Sequence, residues 1–449
     1  MREVAAAGPV PEGAARRRMP FTVIDEAIHL LDSPAEPWGI QLELGVEGRL
    51  DEDRLRAAVH DALARHPMAR ARQPPGGRTD RKWWWEITDT PDVDPLRTLT
   101  WADDDALDAI RGEFYSVEVP LAESPPFRLR LARGPAHDLL MLKANHAAFD
   151  GVGCLRLLQS VARAYTGEAD PPASVRLEEA RDLLRLLAAG DRPVRVARRR
   201  ALIRKASDVF RAPTPPSTDG GHDRAGYGFC QCTLDEALTR ALSAPGQAGT
   251  VNDLLVAALH LTIAAWNAEH GRQSGRIGVL IPVNLRPPAW RHDIVTNLVL
   301  DARSATGPSQ RTDPASTLAA VVAEAERAKA GAAAALIEVL RGLTRLPVWA
   351  KDLVAPLLWL TGNRLVDSAI VSNLGALPDP PSFGDEAGAT TQVWFSAPCR
   401  MPCAISVGAA SVADRLHLSF RYRHPALDRA GAQRFTALFG AQLGLVVGT

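Results

Sequence analysis

The chain has 449 residues, of which 46% are hydrophobic and 23% charged, so it is long enough for two or three compact domains and is not of a disordered or fibrous class. Its 52 basic residues balance its 52 acidic residues, which excludes a global field that would hold nucleic acid or an anionic membrane. We therefore expect a folded, water-soluble, cytoplasmic protein whose partners bind locally.

Neither a leader nor a membrane span is expected from the pattern of apolar residues. The basic run Arg16–Arg18 is followed by acidic residues instead of an apolar core, which is not the pattern of a secretion signal. We interpret residues 1–19 as a flexible tail. The most apolar later stretch, 346–360, is interrupted by charge and proline and is too short to cross a bilayer as a helix.

Hydrophobic periodicity predicts strands alternating with helices in the first half. The predicted strands are Trp38–Val46, Trp83–Trp85, Phe127–Ala132 and Leu139–Ala144, and the predicted helices are Leu50–His66, Asp105–Tyr115 and Val152–Tyr165. The three consecutive tryptophans are interpreted as strand packing in preference to a pocket lining. The fourth strand leads directly into Asn145 and His146.

The middle of the chain is interpreted as a helical, basic linker, residues 176–225. Leu177–Arg204 reads as helical, and the turn-rich segment Pro213–Gly221 follows it. The linker separates an N-terminal lobe, residues 20–175, from a C-terminal lobe, residues 226–449. Its arginine cluster (Arg195, Arg198, Arg199 and Arg200) is either a docking site for an acidic carrier protein or a solvated helix face, and composition favours the second.

The second half repeats the same outline without an obvious sequence repeat. The predicted strands are Tyr227–Thr233, Ile277–Ile281, Ala369–Ser372, Ala404–Val412 and Leu416–Tyr422; the predicted helices are Leu234–Leu242, Asn252–Glu269, pieces of Ser316–Leu360, and Asp428–Leu445. This pattern is typical of two related α/β lobes, each with a mixed sheet and flanking helices.

The five cysteines favour reduced thiols over a disulfide framework, because their number is odd in a long chain. Cys230 and Cys232, with Cys399 and Cys403, supply four thiols to a hypothetical zinc site. The paired spacing of a zinc knuckle is absent, however, so no metal is predicted and ordinary core cysteines are preferred.

The segment from His146 to Gly151 carries the candidate chemistry. A histidine after a buried strand is suited to general base work, because neutral imidazole accepts a proton near neutral pH. Asp150 would cap the following helix, and Gly151 would permit a close or left-handed backbone approach. The alternatives are a satisfied core histidine beside an ordinary N-cap, and a His–Asp metal pair on a helix, which the strand before His146 disfavours.

Taken in order, further segments resemble the superfamily of nonribosomal-peptide condensation domains, chloramphenicol-acetyltransferase-like enzymes, polyketide-associated acyltransferases and bacterial wax ester synthases. The landmarks are Ala64-Arg65-His66-Pro67, Pro125-Pro126-Phe127-Arg128, Asn145-His146-Ala147-Ala148-Phe149-Asp150-Gly151, Thr250-Val251-Asn252-Asp253, Pro282-Val283-Asn284-Leu285-Arg286-Pro287, Ser372-Asn373-Leu374-Gly375 and Phe420-Arg421-Tyr422-Arg423-His424-Pro425. The ordered set is far more specific than the histidine motif alone.

The resemblance implies two chloramphenicol-acetyltransferase-like lobes that meet at a central tunnel, with His146 midway along it. It implies that His146 deprotonates the acceptor, which attacks an acyl thioester directly, so neither an acyl-enzyme nor a metal is expected. No bound cofactor is expected; acyl-CoA or a phosphopantetheine thioester is the co-substrate. The resemblance also implies a pair between Asp150 and Arg286, and an oxyanion role for Asn373 beside Ser372.

Three segments depart from the family pattern. Asn145 stands where many relatives have a first histidine, Pro125-Pro126-Phe127 lacks the tryptophan of wax ester synthases, and Ile294–Asn297 echoes the F-V-N-T stretch of condensation domains only loosely. These departures leave the subfamily and its substrates open.

We therefore predict an acyltransferase that moves an acyl group from a thioester to a small-molecule hydroxyl or amine acceptor in natural-product or lipid biosynthesis, with ester formation favoured over amide formation. An acyl or peptidyl carrier protein is a candidate partner, whereas nucleic acid is not. The alternatives are a non-catalytic module that recruits a carrier protein, and hydrolase or cyclase chemistry in the same tunnel. Retention of His146, Asp150 and Gly151 argues against the first.

Overall fold

The computed structural model describes residues 17–188, 212–329, 342, 344–353, 366–377 and 379–448. Within these ranges the strands are β1 (Arg17–Pro20), β2 (Gly39–Val46), β3 (Ala71–Arg72), β4 (Trp84–Ile87), β5 (Leu96–Thr100), β6 (Phe127–Arg133), β7 (Asp138–Asn145), β8 (Tyr227–Thr233), β9 (Ile277–Asn284), β10 (Val299–Thr306), β11 (Ala369–Ala376), β12 (Thr390–Ser396), β13 (Ile405–Val412) and β14 (Arg415–Arg423).

The helices of the described part are α1 (Val23–Leu31), α2 (Glu52–Arg65), α3 (Asp104–Tyr115), α4 (Gly151–Thr166), α5 (Leu177–Ala180), α6 (Leu183–Ala188), α7 (Glu236–Leu242), α8 (Val251–Glu269), α9 (Pro314–Lys329), α10 (Val348–Lys351), α11 (Gly384–Ala387) and α12 (Arg429–Val447). The chain is a mixed α/β protein with two lobes, as the sequence predicts.

The N-terminal lobe is built on a five-stranded sheet with the order β12-β2-β7-β6-β5. In the pair β2–β7, Gly39 lies opposite Asn145, so the two strands carry Trp38 and His146 to the same end of the sheet. Helices α2 and α4 bury their apolar faces, including Leu55 and Leu158, in the core of this lobe. Burial of an aliphatic side chain of this size stabilises the fold by about 1.5–3 kcal/mol.

Strand β12 crosses from the second half of the chain to the sheet of the first. It pairs antiparallel with β2, with Trp394 opposite Glu43 and Ser396 opposite Gln41. It also packs on the C-terminal sheet, because a Cβ at Gly408 would lie only 1.7 Å from the Phe395 carbonyl oxygen. The predicted C-terminal lobe, residues 226–449, therefore contributes one strand to the N-terminal sheet.

A small sheet, β1-β4-β3, covers one side of the N-terminal lobe. Its first strand begins at Arg17, so residues 17–19, which the sequence analysis placed in a flexible tail, pair with β4 instead. The tail's residues 1–16 lie outside the described residues. Trp85 is fully buried and its indole N–H donates to Asp25 at 3.0 Å, whereas Trp84 is exposed, which fits strand packing.

The C-terminal lobe has a six-stranded sheet with the order β10-β9-β11-β13-β14-β8. Helices α8 and α12 pack on one face of it, with Leu255, Leu259 and Phe435 in the core. The helix α8 is long and apolar enough to cross a bilayer by length and composition, but 72% of its most apolar window is buried. Burial to this extent is typical of the central helix of a packed lobe.

The predicted linker, 176–225, is only partly described. Its helical prediction is correct for α5 and α6, which are short and separated at Arg181 and Asp182. Arg181 is nearly buried and its guanidinium donates to Asp25 at 2.5 Å, so this part of the linker is attached to the N-terminal lobe. The arginine cluster from Arg195 to Arg200 lies outside the described residues, and the division into domains stays a prediction.

Candidate active site at the lobe interface

His146 follows strand β7 directly. Its backbone N–H donates to the Trp38 carbonyl at 3.2 Å, which continues the β2–β7 pairing one residue beyond the strand. Its Nδ1 lies 2.9 Å from the Phe149 carbonyl oxygen. Because a carbonyl oxygen only accepts, Nδ1 carries the proton and Nε2 keeps its lone pair. The half-buried imidazole therefore presents its basic nitrogen on the side of the ring opposite the loop.

The protonation state of His146 suits a base. Burial lowers its pKa below the usual 6.5, while the Phe149 carbonyl and the charge of Asp150 act in the opposite direction. Burial is the larger effect because a charged imidazolium loses its hydration there. The imidazole is neutral at pH 7 and is able to accept a proton from a bound hydroxyl or amine.

Asp150 holds the loop together through both carboxylate oxygens. Oδ1 accepts the Gly153 N–H at 2.8 Å and so caps helix α4. Oδ2 accepts the Leu298 N–H at 2.7 Å and a guanidinium N–H of Arg286 at 2.7 Å. These contacts bind the loop that carries His146 to the C-terminal lobe.

Arg286 provides the second half of this connection. Its side chain is 0% exposed and that of Asp150 is 1% exposed, so the pair is fully buried. Arg286 also donates to the Thr296 carbonyl at 2.8 Å and to the Ile294 carbonyl at 3.4 Å. The pairing that the family resemblance implies between Asp150 and Arg286 is therefore present in the structure, and it ties the histidine loop to segment 294–298.

Asn297 makes a contact that the sequence analysis did not anticipate. Its side-chain amide donates to the carbonyl of His146 at 2.7 Å, and Asn297 itself is fully buried. The neighbouring Thr296 lies so close to helix α4 that a Cβ at Gly153 would be 2.7 Å from its carbonyl oxygen. The signal was present in the loose match of Ile294–Asn297 to the F-V-N-T stretch.

A second C-terminal contact fixes the segment that binds the backbone of His146. Arg421 is fully buried and donates to the Gly39 carbonyl at 2.9 Å and to the Pro37 carbonyl at 3.3 Å. Its guanidinium lies 3.6 Å from the centre of the Tyr227 ring. Arg421 was identified only as part of a landmark, yet it holds the residues on both sides of Trp38, whose carbonyl accepts from His146.

Position 151 requires glycine because neighbouring side chains leave no room for a Cβ atom. A Cβ at this position would lie 2.7 Å from Cε2 of Phe395 and 2.8 Å from Cδ2 of Leu374. Gly151 is not among the residues with positive φ, so of the two reasons proposed from the sequence, close approach is correct and a left-handed backbone is wrong. Strands β11 and β12 thus press directly on the turn that begins α4.

Ser372 and Asn373 lie near the end of β11, next to Leu374, which contacts the site of Gly151. Ser372 is 8% exposed and Asn373 is half-buried. The Asn373 side-chain oxygen accepts the Gly375 N–H at 2.8 Å, and Gly375 has φ 79°, which is the geometry of a turn. The oxyanion role of Asn373, through its amide Nδ2, stays a prediction.

Asn145, where the family resemblance implies a histidine, holds the loop through three hydrogen bonds. Its amide nitrogen donates to Asp32 at 2.7 Å and to the Val119 carbonyl at 3.0 Å, and its oxygen accepts the Ala147 N–H at 3.0 Å. The Asn145 side chain uses two N–H donors and one acceptor oxygen here, whereas an imidazole has only two hydrogen-bonding nitrogens. Asn145 is therefore a structural residue of the turn.

Cys154 lies in the core of the N-terminal lobe, and the other four cysteines form two separate clusters in the C-terminal lobe. Cys230 and Cys232 pack against the core under the helices, whereas Cys399 and Cys403 are buried beside Tyr227. Burial raises the pKa of the Cys232 thiol to about 12 and that of Cys399 to about 11. All five thiols are free, and the described ranges contain no group of three or more histidine, cysteine or acidic side chains arranged to hold a metal ion.

Comparison with curated proteins identifies two relatives from Mycobacterium tuberculosis. "Uncharacterized protein Rv2305" (strain ATCC 25618 / H37Rv) and "Uncharacterized protein MT2362" (strain CDC 1551 / Oshkosh) are each 35% identical over 423 residues, which cover 93% of this chain and 97% of theirs. The dimodular nonribosomal peptide synthase of Bacillus subtilis (strain 168) is 27% identical over 157 residues, 35% of this chain and 6% of that protein. No protein-family model matches the chain.

Solved structures of condensation domains share the fold over nearly the whole chain. The first condensation domain of the calcium-dependent antibiotic synthetase, in complex with a substrate analogue, has a TM-score of 0.69 with 13% identity, and 96% of each chain is covered. The starter condensation domain of rhizomide synthetase, in complex with C8-CoA and Leu-SNAC, has a TM-score of 0.65 with 15% identity, covering 96% of this chain and 94% of that one.

Proposed function

Because the chain belongs to the same family as the two mycobacterial proteins and has the condensation-domain fold, we propose that it transfers an acyl group from a thioester to a hydroxyl or amine acceptor. The observation that carries the proposal is the state of His146: a neutral, half-buried imidazole with Nδ1–H bound to Phe149 and Nε2 free. Of the two possible products, an ester is favoured over an amide.

The reaction proceeds in one displacement. Nε2 of His146 accepts the proton of the acceptor O–H or N–H while the acceptor atom attacks the thioester carbonyl carbon. The C–S bond then breaks, and the thiolate takes the proton back from the imidazolium. Such base catalysis contributes about 10²–10⁴-fold to the rate. Asn373 is the proposed donor to the developing oxyanion.

The buried pair Asp150–Arg286 has a positioning role in this scheme. It fixes the start of α4 and segment 294–298 against each other, and Asn297 from that segment holds the carbonyl of His146. The imidazole is therefore oriented by both lobes at once. A base held in one pose acts without the cost of being ordered at each turnover.

The thioester donor is carried either by coenzyme A or by the phosphopantetheine arm of an acyl or peptidyl carrier protein. Support comes from the similar starter condensation domain, whose structure holds C8-CoA and Leu-SNAC. A small-molecule hydroxyl or amine is the acceptor. No step of this scheme draws on a bound cofactor of the protein.

The test is product formation by the full chain. A panel of acyl-CoA and acyl-pantetheine thioesters of graded length is incubated with alcohols and amines, and esters and amides are identified by mass spectrometry. Acylated acceptor and free thiol in equal amounts support the proposal. Thioester hydrolysis alone would assign a hydrolase, and no consumption of any thioester by the folded protein would leave the non-catalytic carrier-recruiting module as the better account.

A further inference from the structure

A surface that the proposed reaction does not use combines exposed apolar side chains with cations. Seven large hydrophobic side chains are exposed in the described ranges, and three of them, Leu346 (39%), Trp349 (48%) and Leu353 (51%), fall within eight residues of one another. Single exposed apolar side chains are ordinary on a protein surface, whereas a concentration of bulky ones marks a contact site.

The segment that carries these side chains is attached to the N-terminal lobe. The Val348 N–H donates to the Asp80 carbonyl at 2.8 Å and the Trp349 N–H to the Arg78 carbonyl at 3.2 Å. Lys351, which is fully buried, pairs with Glu26 at 2.7 Å and lies 4.7 Å from the centre of the Trp83 ring. The three exposed side chains are therefore presented from an anchored turn.

These backbone bonds place the apolar side chains beside a basic loop. Arg78, Arg81 and Lys82 are exposed on that loop, and Arg345 is exposed next to Leu346. The exposed acids of the same two segments are Asp80 and Asp352. With four cations and two anions the patch has a local excess of positive charge, although the whole chain has equal numbers of basic and acidic residues.

We propose that Leu346, Trp349 and Leu353, together with the cations at Arg78, Arg81 and Lys82, form a docking surface for an anionic lipid bilayer. Leucine and tryptophan side chains insert at the level of the lipid headgroups, where the indole ring has both apolar and polar neighbours. Cations at the rim are attracted to acidic headgroups. Tryptophan and arginine also suit a protein partner, which is the alternative that an absence of vesicle binding would favour.

The surface goes beyond the proposed acyl transfer and does not depend on it. Docking would hold the protein at one leaflet of a membrane without a spanning segment. The association is reversible, because it combines a few inserted side chains with screened charge attraction. His146→Ala should bind lipid as the wild type does, so failure of the catalytic proposal and failure of this one are distinguishable.

The experiment is co-sedimentation of the full chain with two kinds of vesicle, pure phosphatidylcholine and phosphatidylcholine with about 30 mol % phosphatidylglycerol. We expect binding to the anionic vesicles, weakened in about 0.5 M NaCl, where the screening length falls to a few ångströms. Removing two cations in Arg78→Ala/Lys82→Ala should lower the affinity by about fivefold each, the Boltzmann equivalent of about 1 kcal/mol per cation.

The apolar contribution is tested by Trp349→Ser/Leu353→Ser, expected to lose about tenfold or more in affinity. The matched control is Leu445→Ser, which removes a leucine 56% exposed on α12, elsewhere on the C-terminal lobe. Quenching of Trp349 by phosphatidylcholine with brominated acyl chains gives a second readout, taken as the difference between the wild type and Trp349→Phe. Circular dichroism confirms that each variant is folded.

The outcomes decide the proposal in both directions. Loss of vesicle binding in the two patch variants, Arg78→Ala/Lys82→Ala and Trp349→Ser/Leu353→Ser, with binding retained by Leu445→Ser, supports the docking surface. Absence of sedimentation with anionic vesicles overturns it, as does binding that the patch variants leave unchanged. Binding that survives Trp349→Ser/Leu353→Ser but disappears in salt would assign the attraction to charge alone and overturn the role of the apolar side chains.

Discussion

Replacing Asp150 by asparagine tests the buried connection between the lobes. The amide keeps an oxygen for the Gly153 N–H, but its NH₂ group cannot accept the N–H groups of Leu298 and Arg286, which now lie 2.7 Å from Oδ2. Arg286 is 0% exposed and would stay buried without its carboxylate partner. Breaking a buried ion pair in this way costs about 3–5 kcal/mol.

The assay is urea unfolding followed by tryptophan fluorescence, beside a control that changes only a cap. Asp103→Asn is matched, because Asp103 caps α3 by accepting the Ala106 N–H at 2.9 Å and is exposed. Asparagine and aspartate are nearly equal as N-caps, so this control should change the free energy of unfolding by less than about 0.5 kcal/mol. We also expect Asp150→Asn to abolish turnover through disorder of the histidine loop.

A double-mutant cycle separates the pair from its surroundings. Arg286→Met leaves Asp150 buried and unpaired, whereas Asp150→Asn/Arg286→Met removes both charges. The double variant should be more stable than the sum of the single losses predicts, by about 1–3 kcal/mol. Additive losses, or an Asp150→Asn variant with the unfolding free energy and rate of the wild type, would refute the positioning role.

Two further predictions concern the turn and the base. Gly151→Ala should destabilise the fold by about 1–3 kcal/mol and slow turnover, because the new methyl group meets Phe395. The control is Gly440→Ala in α12, where a Cβ has nothing within 4 Å, and it should be neutral or stabilising. Equal melting temperatures of the two variants would contradict this prediction. The pKa of His146 is lowered, so kcat/KM should rise with pH to a plateau through a pKa below 6.5. A rise in kcat/KM with an apparent pKa above 7 would contradict the assignment of His146 as the base. Circular dichroism at each pH excludes unfolding.

Most strands and helices around the site are predicted correctly from the sequence, because apolar runs, helical periodicity and helix caps depend on neighbouring residues. The apolar run Leu139–Ala144 and the periodicity of Val152–Tyr165 place His146 and Asp150 between a strand and a helix, which the structure confirms with β7 and α4. The landmark Thr250–Asp253 is likewise local: its side chains form a capping box at the start of α8.

The contacts that join the lobes could not be read from local pattern. Strand β12 was missed because its pairing with β2 joins residues some 350 positions apart in the chain, as between Gln41 and Ser396, and neither partner's sequence specifies the other. Arg421 was seen only as part of a landmark, since a buried arginine is recognisable only once the carbonyls it serves are in place. The pair Asp150–Arg286 came from the family resemblance, and Asn297 was left out because its match was loose.

Single-turnover kinetics test most directly whether Nε2 of His146 removes the acceptor proton. With a productive thioester and acceptor in hand, acyl transfer is measured for the wild type, His146→Ala and His60→Ala, the last replacing an exposed histidine of α2 in the same lobe. We predict that His146→Ala is folded and slower by about 10²–10⁴-fold, while His60→Ala is unchanged. A folded His146→Ala variant that transfers the acyl group at the wild-type rate would contradict the account.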